Sequence, residues 1–352
     1  MAVITALLLT TLAVTIVASL FWQQQVQVRS IENQRMQLQK QWILRGALDW
    51  ARLILAESYR SSPANDNLQQ AWAVGLAETR LDSYVENGRA DGEAADATIT
   101  GKIIDAQAYL NLAGLSQGGL VQPKAVAAFG RLLTQMRVDP ELAVRAAASM
   151  AASQPQAGAT GAAAIAGLQA RAAATAATLA TTTAVAPATA VAGNAANSAD
   201  AAKAAASAIA ATAGQMGITQ IDDLLAVPGF TPEIVARLRN FVVILPKATP
   251  VNVNTAPAEV LAARIDTLSL QGAQALVASR DRAYFKDAAD FQNRFAGQTL
   301  APDAGDVAVR SDYFIIDGKV KLNRAGLEVL ALIERTNAAG LGGAKILWIR
   351  EN

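Results

Sequence analysis

The stretch AVITALLLTTLAVTIVASLFW, residues 2–22, is apolar apart from four threonines and Ser19. No charged residue occurs before Arg29. A run of about 20 apolar residues matches the roughly 30 Å hydrocarbon core of a bilayer at about 1.5 Å rise per residue. Threonine hydroxyls can donate to backbone carbonyls one turn back, so they are tolerated there. The stretch therefore predicts a helix that spans a membrane.

The helix is predicted to continue beyond the apolar stretch, over residues 1–60. Residues 23–57 contain no proline and a single glycine, Gly46. Apolar residues recur at helical spacing in two series, Ile43-Ala47-Trp50-Ile54 and Leu44-Leu48-Ala51-Leu55. We expect one rod whose outer half packs on a globular body, with Trp50 and Leu53 as candidate contacts. A signal anchor followed by a separate helix is the alternative.

The beginning of the chain carries a first family resemblance. An apolar N-terminus that starts MAVITALLL and runs into an amphipathic helix resembles the mature form of type IV pilin-like proteins. The resemblance implies cleavage by a prepilin peptidase before Met1, which would be the processed, methylated N-terminus. Most members have Glu at the fifth mature position, where this chain has Thr5. In lacking this Glu the chain resembles the type II secretion system protein K, the minor member that usually lacks it.

Composition excludes several kinds of chemistry. The chain has 352 residues, enough for two or three domains, and a net charge of +1. It contains neither Cys nor His. Serine–histidine triads, cysteine–histidine pairs, disulfides and histidine metal sites are therefore excluded. We expect a protein that is not an enzyme.

A second resemblance follows a predicted strand at residues 98–104. The pattern D-A-Q-x-x-x-N-L-x-x-L resembles the place where protein K members pass from their sheet to an inserted helical domain; it comprises Asp105, Ala106, Gln107, Asn111, Leu112 and Leu115. Asn111 is expected to be a turn or cap residue, and the two leucines are expected to start a buried helical face. The pattern is interpreted as structural.

A third resemblance covers residues 218–298. VPGFTPE resembles the helical hairpin of the sterile-alpha-motif-like (SAM-like) domain of protein K, with Thr231 as a cap and Pro232 in the first turn. PVNVNTAPAEVL resembles the family's N-x-N-T element, which contains Asn252, Asn254 and Thr255. Asn254-Thr255 is predicted to cap the following helix, with Pro257 in its first turn.

Residues 143–216 are dominated by alanine and are interpreted as a low-complexity insert. In protein K members an acidic, aromatic-containing loop usually lies here, to which calcium binding is partly linked. This segment has no such acidic cluster. We therefore expect no cofactor, and calcium stays an open expectation that only the resemblance implies.

The end of the chain is predicted to form strands. Asp317-Gly318 is typical of a type I′ hairpin turn. Residues 319–335 fit a long strand with four residues on one face, namely Leu327, Val329, Ala331 and Ile333. A helix over residues 323–335 fits the spacing as well. The sequence S-D-Y-F followed by G-x-V-x-L resembles protein K and favours strands.

Helix-hairpin-helix modules provide a rival interpretation, because N-x-N-T-A followed by helical hairpins also resembles them. Such modules bind DNA phosphates through backbone N–H groups at helix N-termini. A DNA-binding module should gather Lys and Arg beside its turns, and VPGFTPE and LSLQGAQ contain none. We expect no nucleic-acid partner, and a membrane-anchored DNA-uptake protein remains the alternative function.

The order of these motifs predicts an α+β chain with a type IV pilin-like fold, in which a long N-terminal helix packs on an antiparallel sheet and a large all-α SAM-like domain is inserted. The expected divisions are 1–60, the helix; 61–111, the first part of the body; 112–298, the helical insert; and 299–352, the closing strands. The resemblance implies a minor pseudopilin at the tip of the type II secretion pseudopilus. It would take part in pseudopilus assembly and in protein export across the outer membrane. Its implied partners are the I- and J-type minor pseudopilins, the major pseudopilin and the inner-membrane assembly platform. Its implied location is the bacterial inner membrane, with a single span and a periplasmic globular part.

Small residues on the membrane helix are the candidate assembly contacts. Apolar helices in lipid associate by close packing of small side chains. The residues assigned to the assembly helix are Ala2, Thr5, Ala6, Ala13, Ala18 and Phe21, with Ser19 beside them. Thr5 cannot form the ion pair that Glu at this position is thought to make with the neighbouring N-terminal amine. A subunit with nothing above it does not need that pair.

Overall fold

A computed structural model describes residues 2–80, 97–154, 217–294, 305–322, 325–336 and 343–351. Met1 and most of the alanine-rich segment lie outside these ranges. By its internal contacts the chain divides into two units. One comprises residues 1–106 and 310–352, and the other comprises residues 107–309.

The described helices and strands lie in the following positions. The helices are α1 (Ala2–Ser61), α2 (Pro123–Gln135), α3 (Glu141–Ser153), α4 (Pro232–Leu238), α5 (Ala258–Arg264), α6 (Leu270–Arg282) and α7 (Ala288–Arg294). The strands are β1 (Leu76–Arg80), β2 (Thr98–Asp105), β3 (Leu110–Asn111), β4 (Ser116–Gln117), β5 (Leu120–Val121), β6 (Val242–Val243), β7 (Val251–Asn252), β8 (Val307–Ala308), β9 (Tyr313–Leu322), β10 (Ala325–Arg335) and β11 (Ala344–Glu351).

The first unit packs α1 on a five-stranded sheet of order β1-β2-β9-β10-β11, in which each neighbouring pair is antiparallel. The helix contributes the predicted series Leu44, Leu48, Ala51 and Leu55, all buried against the sheet. Trp72 lies in the same core, 1% exposed, and its ring meets that of Phe314 edge to face at 5.2 Å. The continuous rod is confirmed, because α1 has no break between its first and last residues.

Trp50 and Leu53 are the predicted contacts of α1 with the sheet. The prediction for Leu53 is wrong, and Trp50 lies only at the edge of the contact. Their side chains are 49% and 47% exposed, whereas Leu48 and Ala51 are buried. At about 100° per residue, only one of the two apolar series can face the sheet squarely. The series that contains Leu48 does so, and Leu53 lies on the opposite side of the helix.

The predicted hairpin turn at Asp317-Gly318 is also wrong. Both residues lie inside β9, where Gly318 pairs with Gly101 on one side and with Val329 on the other. A central strand with two neighbours leaves no place for a turn there. The strand interpretation of residues 325–335 is confirmed and the helical alternative is excluded, since the four predicted apolar residues share the face that packs on α1.

In its described residues, the second unit is helical with three short strand pairs. The predicted cap at Thr231 is confirmed: its hydroxyl accepts from the Ile234 N–H, and Pro232 lies in the first turn of α4. Arg131 ties α2 to the end of α5, donating to the Ala263 carbonyl at 2.8 Å and contacting Asp266 at 2.6 Å. The core comes from the apolar faces of α2, α3, α5 and α6.

Candidate functional site

The apolar part of α1 is exposed along its whole described length. The helix has a window of mean hydropathy 2.4, of which none is buried, so by length and composition it can cross a membrane. The hydroxyls of Thr5, Thr10 and Thr11 each donate to the carbonyl three residues earlier, at 2.9, 2.9 and 3.0 Å. Threonine therefore adds no unsatisfied donor to the apolar surface.

The assembly residues predicted from the sequence all lie on this exposed segment. Ala2, Ala6, Ala13, Ala18 and Ser19 are exposed. Phe21 and Trp22 are 64% and 72% exposed at the end of the apolar stretch.

A second apolar surface lies on the outer half of α1. We call it the outer stripe; it consists of Val28, Ile31, Leu38, Trp42 and Leu53, each between 49% and 71% exposed. At about 100° per residue these side chains lie on the side of the helix opposite the buried series. The helix thus presents one apolar side to its own sheet and another to the surroundings.

A buried polar cluster joins the segment just after α1, the end of β2 and the start of β9. The Ser311 hydroxyl donates to the Asp105 carboxylate at 2.6 Å, and the Ser311 N–H donates to Asp66 at 2.9 Å. Arg335 contacts the same Asp66 carboxylate at 2.5 Å and the Ser311 carbonyl at 2.7 Å. All four residues are at most 2% exposed.

Aromatic rings complete the surroundings of Arg335. Its guanidinium lies 4.7 Å from the Phe314 ring centre and 5.5 Å from that of Tyr59. Within the described residues its Nε and Nη1 atoms have no hydrogen-bond acceptor. The two rings therefore add cation–π attraction to the charge pair. This charge pair holds the chain after α1 to the last strands.

Gln107 and Asn111 hold the loop that precedes the N-x-N-T element. Gln107 donates to the Pro250 carbonyl at 3.1 Å. The Asn111 amide nitrogen donates to the Lys247 carbonyl at 2.7 Å, while its oxygen accepts from Ala113 and Leu245. Asn111 is the cap of a 3₁₀ turn at Leu112–Leu115, whose two leucines are buried. The two motif segments thus meet inside the helical unit.

The predicted role of Asn254-Thr255 as a helix cap is wrong. The N-cap of α5 is Pro257, and no side chain caps it. Instead Asn254 pairs with the backbone of Phe285, donating to its carbonyl at 2.9 Å and accepting from its N–H at 2.8 Å. Asn252 accepts from the Asn254 N–H at 2.9 Å, and Thr255 donates to the Asn252 carbonyl. The element is a buried turn that anchors the chain after α6.

Arg280 holds the same turn from the other side. Its guanidinium is buried and donates to the carbonyls of Val253 at 2.8 Å and Ala256 at 2.5 Å. Burial lowers the pKa of Arg280, while nearby Asp281 raises it. No pattern in the sequence marks Arg280, Asp66 or Arg335, because each acts through partners that are distant along the chain.

Cations beside the first helical hairpin are engaged within the protein. Arg239 pairs with Asp222, and Arg237 donates to the Met136 carbonyl. Among the described residues, His, Cys, Asp and Glu form no group of three or more that could hold a metal ion.

Comparison with known proteins identifies the family. Two family models described as type II secretion system (T2SS), protein K match residues 108–247 and 251–310, which together make up more than half of the chain. No match was found among curated proteins. A solved structure, the GspK-GspI-GspJ complex from the enterotoxigenic Escherichia coli type 2 secretion system, has a chain that is 18% identical with a TM-score of 0.59. The match covers 91% of this chain and 98% of that one, and it shows that the two share a fold. The chain belongs to the type II secretion system protein K family.

Proposed function

We propose that this chain is the tip subunit of a type II secretion pseudopilus and acts by assembly. A single observation carries the proposal: α1 is one unbroken helix with an exposed apolar segment followed by an outer stripe that faces away from its own core. A second, exposed apolar side on a helix indicates a surface that binds another protein or a membrane. The first unit, with its long helix on an antiparallel sheet, would be the pilin-like body. Residues 107–309 would be the SAM-like insert.

The physics of the apolar segment supports a role that changes with location. In the bilayer, lipid covers residues 2–22 and the backbone is satisfied within the helix. On extraction into a filament, the same surface needs cover from other apolar helices. The small side chains of Ala2, Ala6, Ala13 and Ala18 permit close approach of such helices. We place the globular part in the periplasm and the anchor in the inner membrane.

Thr5 supports the uppermost position. Its hydroxyl donates to the Ala2 carbonyl, so it is satisfied within its own helix. A threonine cannot neutralise the N-terminal amine of a neighbouring subunit as a carboxylate would. A subunit at the tip needs no such partner, and the absence of the carboxylate is consistent with that place.

The partners we propose are the I- and J-type minor pseudopilins. The similar solved chain belongs to a complex named for three such proteins. The outer stripe offers five exposed apolar side chains on one side of a helix, a surface that suits helix-in-groove or helix-on-helix docking. The major pseudopilin and the assembly platform would be met later, as the filament grows and exports protein.

The test uses the full chain in detergent with purified I- and J-type proteins of the same secretion system. We expect binding that Leu38→Glu weakens by about tenfold, because a charge replaces an exposed apolar contact at an interface. Gln37→Glu is the matched control, since Gln37 is the adjacent exposed polar residue. Salt-sensitive binding to double-stranded DNA without binding to either protein would overturn the proposal in favour of a DNA-uptake protein.

A further inference from the structure

The exposed side of α1 carries a regular repeat that contains most of the outer stripe. Steps of three and four residues alternate from Phe21 to Trp42, which is the 3.5-residue period of a left-handed coiled coil. This period indicates a partner that is itself an α-helix, because the side chains of a second helix fit between residues at that spacing. We call the whole series the seam; it consists of Phe21, Gln24, Val28, Ile31, Arg35, Leu38 and Trp42, all exposed.

The seam ends at Trp42 and faces away from the sheet of the first unit. The next two places in the repeat are Arg45 and Asp49, which are charged and exposed. The buried series of α1, which includes Leu44 and Leu48, lies on the opposite side of the helix. A second helix can therefore lie along the seam without displacing the sheet.

Arg35 lies in the middle of the seam, one turn from both Ile31 and Leu38. In the part of the chain that the structure describes, its guanidinium makes no ion pair and no hydrogen bond, and Glu32, three residues earlier, is not paired with it. A helix that covered the seam would take this charge out of water. A charge buried without a partner is strongly unfavourable. The seam therefore requires a carboxylate opposite Arg35.

A second copy of this chain does not meet that requirement. Residues 2–22 can cross a membrane, so two copies anchored in one membrane would lie parallel. In a parallel pair in register, each seam residue faces the same residue of its neighbour. Arg35 would then meet a second Arg35, and like charges so placed oppose pairing. A shift by one heptad brings Arg35 to Val28, which leaves the charge unpaired as well.

We propose that the seam binds one parallel helix of a different pilin-like subunit, and that this helix carries Asp or Glu at the level of Arg35. The inference rests on the proposed function and adds to it the chemistry by which the neighbour is selected. The apolar positions provide the contact area. The single ion pair sets the register and disfavours copies of the same chain, as polar residues at single core positions do in coiled coils.

Reversal of the charge supplies a probe of the required chemistry. The full chain with Arg35→Glu keeps the rest of the seam and carries a carboxylate at its centre, so it should pair with the chain that retains Arg35. The sequence contains no cysteine, so Gln24→Cys in both chains gives one thiol on the seam and a disulfide only between chains. In detergent micelles, we expect the mixed pair to crosslink about tenfold faster than either population alone, because like charges oppose both pairs of identical chains.

Three control variants complete the design. Gln23→Cys places the thiol at the adjacent exposed position, which lies off the seam, and should not crosslink in any mixture. Arg35→Lys keeps the positive charge and should replace Arg35 in the mixed pair. Arg35→Leu removes the repulsion and should let the chain pair with itself, which tests the apolar part of the seam without the reversed charge. Circular dichroism checks that each variant is folded.

The outcomes are distinct. Faster crosslinking of the mixed pair, confined to the thiol on the seam, supports the proposal. Equally fast crosslinking of the chain that retains Arg35 with itself would overturn it in favour of a second copy. Absence of crosslinking in every mixture, with Arg35→Leu included, would show that the seam binds no helix and would also overturn it. The proposed function is tested separately by binding to the I- and J-type proteins, so its failure and that of the seam can be told apart.

Discussion

The hydroxyl of Ser311 donates a 2.6 Å hydrogen bond to the carboxylate of Asp105, across 206 residues of sequence. Asp105 ends β2, and Ser311 lies just before β9, which pairs with β2. The bond therefore joins the two strands at the place where the chain leaves the first unit and returns to it. It also connects the D-A-Q and S-D-Y-F motifs, whose contact could not be predicted from the sequence.

Removal of this hydroxyl should destabilise the first unit. Ser311→Ala takes a donor from a buried carboxylate, a change of about 1–3 kcal/mol in the free energy of unfolding. All five tryptophans of the chain lie in residues 1–106 and 310–352, so tryptophan fluorescence follows this unit alone. Ser279→Ala, at an exposed position of the other unit, is the control. Equal fluorescence midpoints for the two variants would contradict the assigned role.

The Asp66–Arg335 pair should behave as a buried ion pair. Asp66→Leu or Arg335→Met alone should lower the free energy of unfolding by about 3–5 kcal/mol, because each leaves the other charge buried. The double variant should lose much less than the sum of the two, since neither charge of this pair is then left buried without its partner. The double-mutant cycle is measured by tryptophan fluorescence in denaturant. Additive losses would mean that the two charges do not interact.

Much of the fold can be predicted from patterns within a few residues. The features that cannot be predicted in this way depend on pairing between segments that are distant in sequence. The apolar series of α1, the Thr231 cap and the apolar face of β10 follow from periodicity and cap chemistry within a few residues. The turn assigned to Asp317-Gly318 failed because the local signal for a type I′ turn is overridden when β2 and β10 pair with both edges of β9. Strand partners are not encoded in a four-residue window.

The candidate site also has some features that can be predicted from the sequence and others that cannot. The exposed helix could be recognised from composition, whereas the buried Asp66–Arg335 pair and the Arg280 contacts could not, since their partners lie far away in sequence. The sequence predicts a structural role for Asn254, but the predicted role as a helix cap is wrong. A helix cap and a buried turn share the same short polar residues, and only the Phe285 contact separates them.

Asn254 should therefore be sensitive to replacement in a way that a cap would not be. Asn254→Ala leaves the Phe285 N–H and carbonyl without their partner, and we expect a loss of about 2–4 kcal/mol in the helical unit. Asn254→Asp keeps the acceptor but removes the donor, so its loss should include the bond to the Phe285 carbonyl. Circular dichroism in denaturant measures both, with Asn293→Ala as an exposed control. A loss by Asn254→Ala no larger than that control would rule out the assigned bonds.

Acid should destabilise the helical unit through two aspartates. Burial raises the pKa of Asp223, but hydrogen bonds from Thr219 and Gln220 outweigh burial and hold it below the ordinary value of 3.8. Hydrogen bonds from Arg294 and Lys286 lower the pKa of Asp290. A lowered carboxyl pKa gives stability that is present above the unfolded value and lost as pH falls through the folded value.

The stability loss is thus expected below about pH 4, where these carboxylates become protonated. Thermal unfolding between pH 6 and pH 2.5, followed by circular dichroism, should show a midpoint that falls less steeply in Asp223→Asn and Asp290→Asn than in the unaltered chain. Carbon NMR of the two carboxyls gives their titration directly. Titration midpoints at or above pH 3.8 for both carboxyls would contradict the hydrogen-bond assignment.

Thr5→Glu tests the tip position. A carboxylate at this position lies near the start of α1, where it can reach the water interface, so membrane insertion should persist. At the tip no neighbouring amine lies above it, and we expect secretion of the exported protein to stay close to that of the unaltered chain. Ala13→Glu places the same charge in the middle of the apolar stretch and should abolish insertion. Secretion assays and membrane fractionation compare the two variants. If Thr5→Glu instead blocked secretion, or if cysteine crosslinks placed the protein uniformly along the filament, the tip position would be wrong.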